Sequence, residues 1–169
     1  VDVSSPSVPK VIGKIKTGLL VGAPTEIGKT VGCSGPNYLL ARGGSLWVTN
    51  GNNDIIERID SRTGKIVVRK RLIPSPLVAK LRGVAPAGVT LSPDGKWLFV
   101  TEMGINALAV LNSQTLEIAG HIPTAWYPYR TAISKDGRKL SVICFRGFGE
   151  GPQGGKNAAK TEFAGMRGV

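Results

Sequence analysis

Between Pro86 and Tyr127 short apolar runs alternate with polar turn clusters, and the runs have strand length rather than helix length. Val89-Thr90-Leu91 leads into Ser92-Pro93-Asp94-Gly95, whose Asp-Gly pair suits the positive φ angles of a tight hairpin. Trp97 to Thr101 is predicted to return as a second strand, Ala107 to Leu111 as a third and Glu117 to Ile122 as a fourth. Between the last two, Asn112-Ser113-Gln114-Thr115 is a turn in which the Asn112 side chain can hold its own backbone.

The pattern repeats. Leu46-Trp47-Val48-Thr49-Asn50 falls on Leu98-Phe99-Val100-Thr101-Glu102 at an offset of 52 residues, and Ile59–Thr63 falls on Leu111–Thr115 at the same offset. A third copy opens at Arg130 and carries Asp136-Gly137 ahead of Leu140, which follows Leu98 by 42 residues. The difference sits between Pro74 and Pro86, predicted to be a loop inserted between two units. Ile12–Thr17 resembles Ala119–Thr124, so the last strand of a further unit is expected near the N-terminus. Helix signals are nearly absent. Four short strands per recurring unit predict an all-β chain, a partial β-propeller of four-stranded antiparallel blades, about two complete and pieces of two more. Residues 1–34 would hold the end of one blade and a connecting loop. A blade with the insertion 74–86 would occupy 35–85, and a complete blade 86–127. An incomplete blade with a glycine-rich loop at 147–155 would fill 128–169. Apolar runs without alternation, such as Leu98-Phe99-Val100 and Val142-Ile143, suit sheets covered on both faces.

A propeller ring needs at least four blades, and an open stack leaves an apolar face bare at each end. The expectation is therefore a fragment or subunit whose partner is another protein chain or the remainder of the same protein. The opening Val1-Asp2-Val3-Ser4 carries neither an initiator Met nor a signal pattern, as expected of a matured or internally cut start. At 169 residues the chain has the size of one ordinary domain, and no apolar run approaches the roughly 18 residues of a membrane helix.

Charge changes the picture more than composition does. The net charge is +11, with Arg69-Lys70-Arg71 followed by Lys80 as a basic patch. Such a field attracts an anionic partner. Nucleic acid is disfavoured, because Trp47, Trp97 and Phe99 sit inside the strand pattern rather than among the basic residues. Ala23-Pro24-Thr25-Glu26-Ile27-Gly28-Lys29-Thr30 satisfies the loose form of a phosphate-binding loop. That chemistry needs a helix opening at the lysine, and Gly32, Gly35 and Pro36 argue against one. Cys33 and Cys144 are at non-equivalent positions, so no disulfide is expected. With a single histidine, His121, the chain has too few ligands for a zinc site. His121 reads as a structural or surface residue. Asp60, Asp94 and Asp136 read as turn formers, and no carboxylate pair or nucleophile–base pairing stands out. No catalytic residue, metal or cofactor is expected in this chain.

Ser92-Pro93-Asp94-Gly95-Lys96-Trp97-Leu98-Phe99-Val100-Thr101, with Ala107–Thr115 downstream, resembles the YVTN-type (YncE-like) propeller repeat. Leu81–Gly88, Gly104–Ala107, Ile122–Pro128 and Gly147–Pro152 resemble one branch, bacterial proteins joining such a propeller to an alkaline-phosphatase-like phosphoesterase domain. The chain departs from the pattern at Cys144-Phe145-Arg146 and at Arg42-Gly43-Gly44. The resemblance implies a periplasmic or extracellular protein. It places no catalytic residue here, because that branch keeps its metal-binding residues in the phosphoesterase domain. The functional expectation is a non-catalytic module for protein or ligand binding and assembly. Its alternatives are the propeller portion of a metal-dependent phosphoesterase and a basic polyanion-binding surface. Candidate contact residues lie in and beside the inter-strand loops: Arg82, Met103, Asn106, Trp126, Tyr127, Arg146, Phe148, Glu150 and Gln153.

Overall fold

The computed structural model describes residues 1–30 and 32–146. A small hairpin, β1 (Pro24–Thr25) and β2 (Gly28–Lys29), precedes two four-stranded sheets. The first sheet holds β3 (Pro36–Arg42), β4 (Ser45–Asn50), β5 (Ile55–Asp60) and β6 (Ile66–Arg71). The second holds β7 (Pro86–Leu91), β8 (Trp97–Glu102), β9 (Ala107–Asn112) and β10 (Ile118–Pro123). A third unit opens as the hairpin β11 (Pro128–Ile133) and β12 (Leu140–Cys144). Both full sheets are antiparallel meanders paired in chain order. Helix among the described residues is limited to 3₁₀ turns at Gly51–Asn53 and Pro76–Val78, and none is long and apolar enough to cross a membrane.

The turns close locally. The Asp94 carboxylate accepts the Ser92 hydroxyl at 2.5 Å and the Lys96 amide at 3.1 Å, while Gly95 takes φ +75°. Asp136 repeats this with Ser134 and Arg138. Asn112 accepts the amides of Gln114 and Thr115, and Asp60 those of Arg62 and Thr63. Hydrogen bonds led by Thr63, Ser92 and Ser134 hold the Asp60, Asp94 and Asp136 carboxyls below the usual carboxylate range.

The sheets stack face to face. Trp47, Ile56 and Leu72 of the first unit meet Val89, Leu98, Val100 and Leu111 of the second in one buried core. Trp47 donates its indole N–H to the Ser113 carbonyl at 2.9 Å, and Thr49 donates its hydroxyl to the Ala87 carbonyl at 2.6 Å. Thr101, the repeat equivalent of Thr49, reaches the Tyr129 carbonyl of the third unit at 3.2 Å. Each first strand begins with proline (Pro36, Pro86, Pro128), at a strand start where a missing N–H is tolerated. Each also carries a register shift just after it, at Pro36/Tyr38, Pro86/Val89 and Pro128/Arg130.

Ile12–Thr17, expected as a last strand, forms none. A strand exists only where a neighbour supplies ladder hydrogen bonds, and the described residues hold no preceding sheet. The segment instead lies over the outer face of the first sheet. Thr17 bonds the Asn50 side chain, the Gly18 amide bonds Glu57 and the Leu19 amide bonds Asn53. Lys29 ends the β1–β2 hairpin rather than opening a helix. Among the described residues no helix opens there to cradle a phosphate by its dipole.

Candidate functional site

The meander sets Pro86, Glu102, Ala107 and Pro123 in register at one rim of the second sheet. The same rim gathers the segments 51–54, 72–85, 103–106, 124–127 and 145–146. The described contact residues expected from sequence all belong to it. Asn106 accepts the Tyr127 amide on its side chain and the Thr124 amide on its carbonyl, both at 2.9 Å. The Arg146 guanidinium lies 4.8 Å from the Tyr127 ring centre, and the Arg146 amide bonds the Trp126 carbonyl at 3.2 Å. Asn106, Trp126, Tyr127 and Arg146 therefore form one cluster. Met103 joins the rim through its amide, which bonds the Ala85 carbonyl. Arg82 sits apart, donating to the Lys29 carbonyl at 2.7 Å beside a cleft of about 240 Å³ that Glu26, Arg69 and Arg71 also line. Phe148, Glu150 and Gln153 lie outside the described residues.

Four non-glycine residues on this rim take positive φ: Asp54 (+55°), Ala85 (+50°), Asn106 (+57°) and Tyr127 (+61°). Asp and Asn tolerate that conformation, whereas Ala and Tyr hold it only where surroundings impose it. The imposing contacts are visible. The Asp54 carboxylate accepts the amides of Gly83 and Ala85 at 2.8 and 2.9 Å, and Asn106 holds Tyr127.

Of the expected basic patch, Arg69 and Arg71 line one cleft together with Arg82. Strand alternation sends Lys70 to the face opposite Arg69 and Arg71. Arg69 donates to the buried Glu57 carboxylate at 2.6 Å and to the Gly18 carbonyl. Arg71 donates to the carbonyls of Ala79 and Leu81 at 2.8 and 2.6 Å. Both arginines staple chain segments to the first sheet, and exposed Lys80 stands on the segment that Arg71 holds.

A pairing of buried Glu102 with half-buried His121 at the rim was missed by sequence reasoning. Glu102 is fully buried and its Oε2 lies 3.3 Å from Nε2 of His121, with neither oxygen hydrogen-bonded among the described residues. The repeat explains the pair. At an offset of 52 residues Glu102 falls on Asn50, Ala109 on Glu57 and His121 on Arg69. In the first sheet Glu57 joins Asn50 and Arg69; in the second, Ala109 takes that place and leaves acid and imidazole facing each other. Aligning the copies for breaks in side-chain type, rather than for matches, is the signal that finds it.

Burial first, and the Asp54 charge second, push the Glu102 carboxyl up to about 8; burial pushes the His121 imidazole down. Glu102 is thus protonated at neutral pH. Its folded value exceeds its unfolded one, so its stability contribution is full at low pH and is lost as pH rises through 8. His121 has the opposite sign, and its unfolded form is already neutral above about pH 6.5. Between pH 6.5 and 8 the glutamate outweighs the histidine, and denaturant titrations should show a loss of about 1–2 kcal/mol. Glu102→Gln should flatten that loss. An unchanged slope in the variant would place the acid elsewhere.

Cys33 and Cys144 are free thiols, and burial pushes Cys144 up. Among the described residues no three His, Cys, Asp or Glu side chains are placed to hold a metal ion.

No family model and no curated protein matches the chain. Solved structures do. The WD40 β-propeller domain of Doa1 is 13% identical with a TM-score of 0.50, over 69% of this chain and 36% of that one. The fold is all-β, a partial β-propeller. Hydrazine synthase of Kuenenia stuttgartiensis gives a TM-score of 0.58 at 23% identity, over 66% of this chain and 29% of that one. A putative 6-phosphogluconolactonase of Bacteroides fragilis gives 0.54 at 20% identity, over 72% of this chain and 34% of that one. The chain spans about a third of the length of these neighbours, and at such identities the likeness concerns the fold alone.

Proposed function

We propose that this chain is a non-catalytic propeller module for binding and assembly, and that its partner contacts come from the rim carrying Asn106, Trp126, Tyr127 and Arg146. One observation carries the reading: loops held in strained conformations by specific hydrogen bonds present an exposed tyrosine–arginine stack. Such pre-organisation lowers the entropy cost of docking, and Tyr and Arg are the residue types that anchor interfaces. The partner is another chain or the remainder of the same protein. The YVTN-type motifs support a YncE-like assignment within the propellers and, through it, an exported protein.

The test is a photo-crosslinking residue placed at Tyr127, with Lys65 on the opposite rim as control, in the cell that makes the protein. A discrete adduct at Tyr127, absent at Lys65, is expected. Mass spectrometry then tells a continuation of the same chain from a separate protein. Equal adducts at both positions, or none, would refute the reading.

A further inference from the structure

The third residues of the three first strands are Tyr38, Gly88 and Arg130. Gly88 sits between the other two in the order of the sheets. A Cβ there would lie 2.5 Å from the Tyr129 carbonyl oxygen and 3.2 Å from the Arg130 Cα. Its missing side chain lets β11 close on β7, and across that gap the Arg130 guanidinium lies 4.2 Å from the Tyr38 ring centre and 5.2 Å from that of Tyr129. Tyr129 in turn stacks on Phe145 at 4.6 Å. Arg130 is half-buried, and among the described residues its guanidinium donates to no carbonyl and pairs with no carboxylate. In this it differs from Arg69, Arg71 and Arg82, each of which donates to a carbonyl or carboxylate of another segment.

A guanidinium held over an aromatic ring keeps its N–H groups in its own plane, so that its fork can still meet a ligand at its edge. That edge matches a planar or tetrahedral oxyanion bidentately. Partial burial and the +11 net charge strengthen the attraction. We propose that Arg130, close to the rings of both Tyr38 and Tyr129 at the inner edges of the three sheets, is a binding site for a small ligand bearing a carboxylate or phosphate group. This rests on the binding-module reading and names a ligand class for it, at a place separate from the Tyr127 cluster.

Calorimetric titration of the chain with citrate and with inorganic phosphate, at about 150 mM salt to screen the diffuse field, tests the proposal. One saturable site is expected for at least one probe, and the arm that binds tells carboxylate from phosphate. Arg130→Lys keeps the charge but loses the fork, and should weaken binding about tenfold or more. Arg62→Lys, exposed on the opposite rim, should leave binding unchanged. In the unsubstituted chain the Arg130 Nε–H resonance should move on anion addition while that of Arg62 stays, a readout independent of any variant's folding. Absence of saturation with both probes, equal weakening in both variants, or an unmoved Arg130 resonance would overturn the site. Rim crosslinking at Tyr127 would survive that failure, so the two readings fall separately.

Discussion

Trp47→Ala is expected to cost about 4 kcal/mol of unfolding free energy. Trp47 is 3% exposed at the centre of the core between the first two sheets. Emptying such a site removes apolar burial and leaves a cavity, about 3–5 kcal/mol for a buried tryptophan. The indole N–H also satisfies the Ser113 carbonyl, which would be stranded in an apolar environment. Total stabilities of single domains are about 5–15 kcal/mol, so the loss is a large share. Trp97 is the internal control. It is 40% exposed, and Trp97→Ala should cost about 1 kcal/mol or less. Urea unfolding midpoints decide the matter: similar shifts for the two variants would mean that the sheets do not pack through Trp47.

Gly104→Ala should be comparably severe for a different reason. A Cβ at Gly104 would overlap the Gly83 carbonyl oxygen and come within 2.9 Å of the Gly83 carbonyl carbon, both backbone atoms. No rotamer relieves a backbone clash, so the 83–85 segment must move and give up the bonds from the Gly104 and Met103 amides to Val84 and Ala85. The expected cost is about 3 kcal/mol. Hydrogen exchange at Met103 and Gly104 should rise by at least tenfold. Gly120→Ala, where a Cβ meets nothing within 4 Å, should instead be neutral or slightly stabilising, since alanine restricts the unfolded chain. If Gly104→Ala melts like the unsubstituted chain, the two rim loops are not in contact.

Both predictions concern contacts between units, and that is where the sequence reading thinned. Asp94, Asp136 and Asn112 disclosed their turns because each acts on residues within three positions of itself. Leu46–Asn50 and Leu98–Glu102 disclosed equivalent strands because the pleat repeats every second residue wherever the sheet lies. Asn106, Trp126, Tyr127 and Arg146 were named from the sequence only as residues in and beside the inter-strand loops, not as one cluster. Arg69 and Arg71 were legible as basic residues but not as staples, since charge in a sequence says nothing of which carbonyls a guanidinium will reach.

What the sequence alone determined was the strand-turn unit and its repetition: hairpin chemistry and side-chain alternation are short-range, and each copy states them again. Tertiary structure alone decided the rest. It set Glu102 against His121, laid Arg130 over Tyr38 with Gly88 between them, and left Ile12–Thr17 without a ladder. Those outcomes depend on which neighbouring sheet supplies or withholds a partner, and distance along the chain carries no record of that.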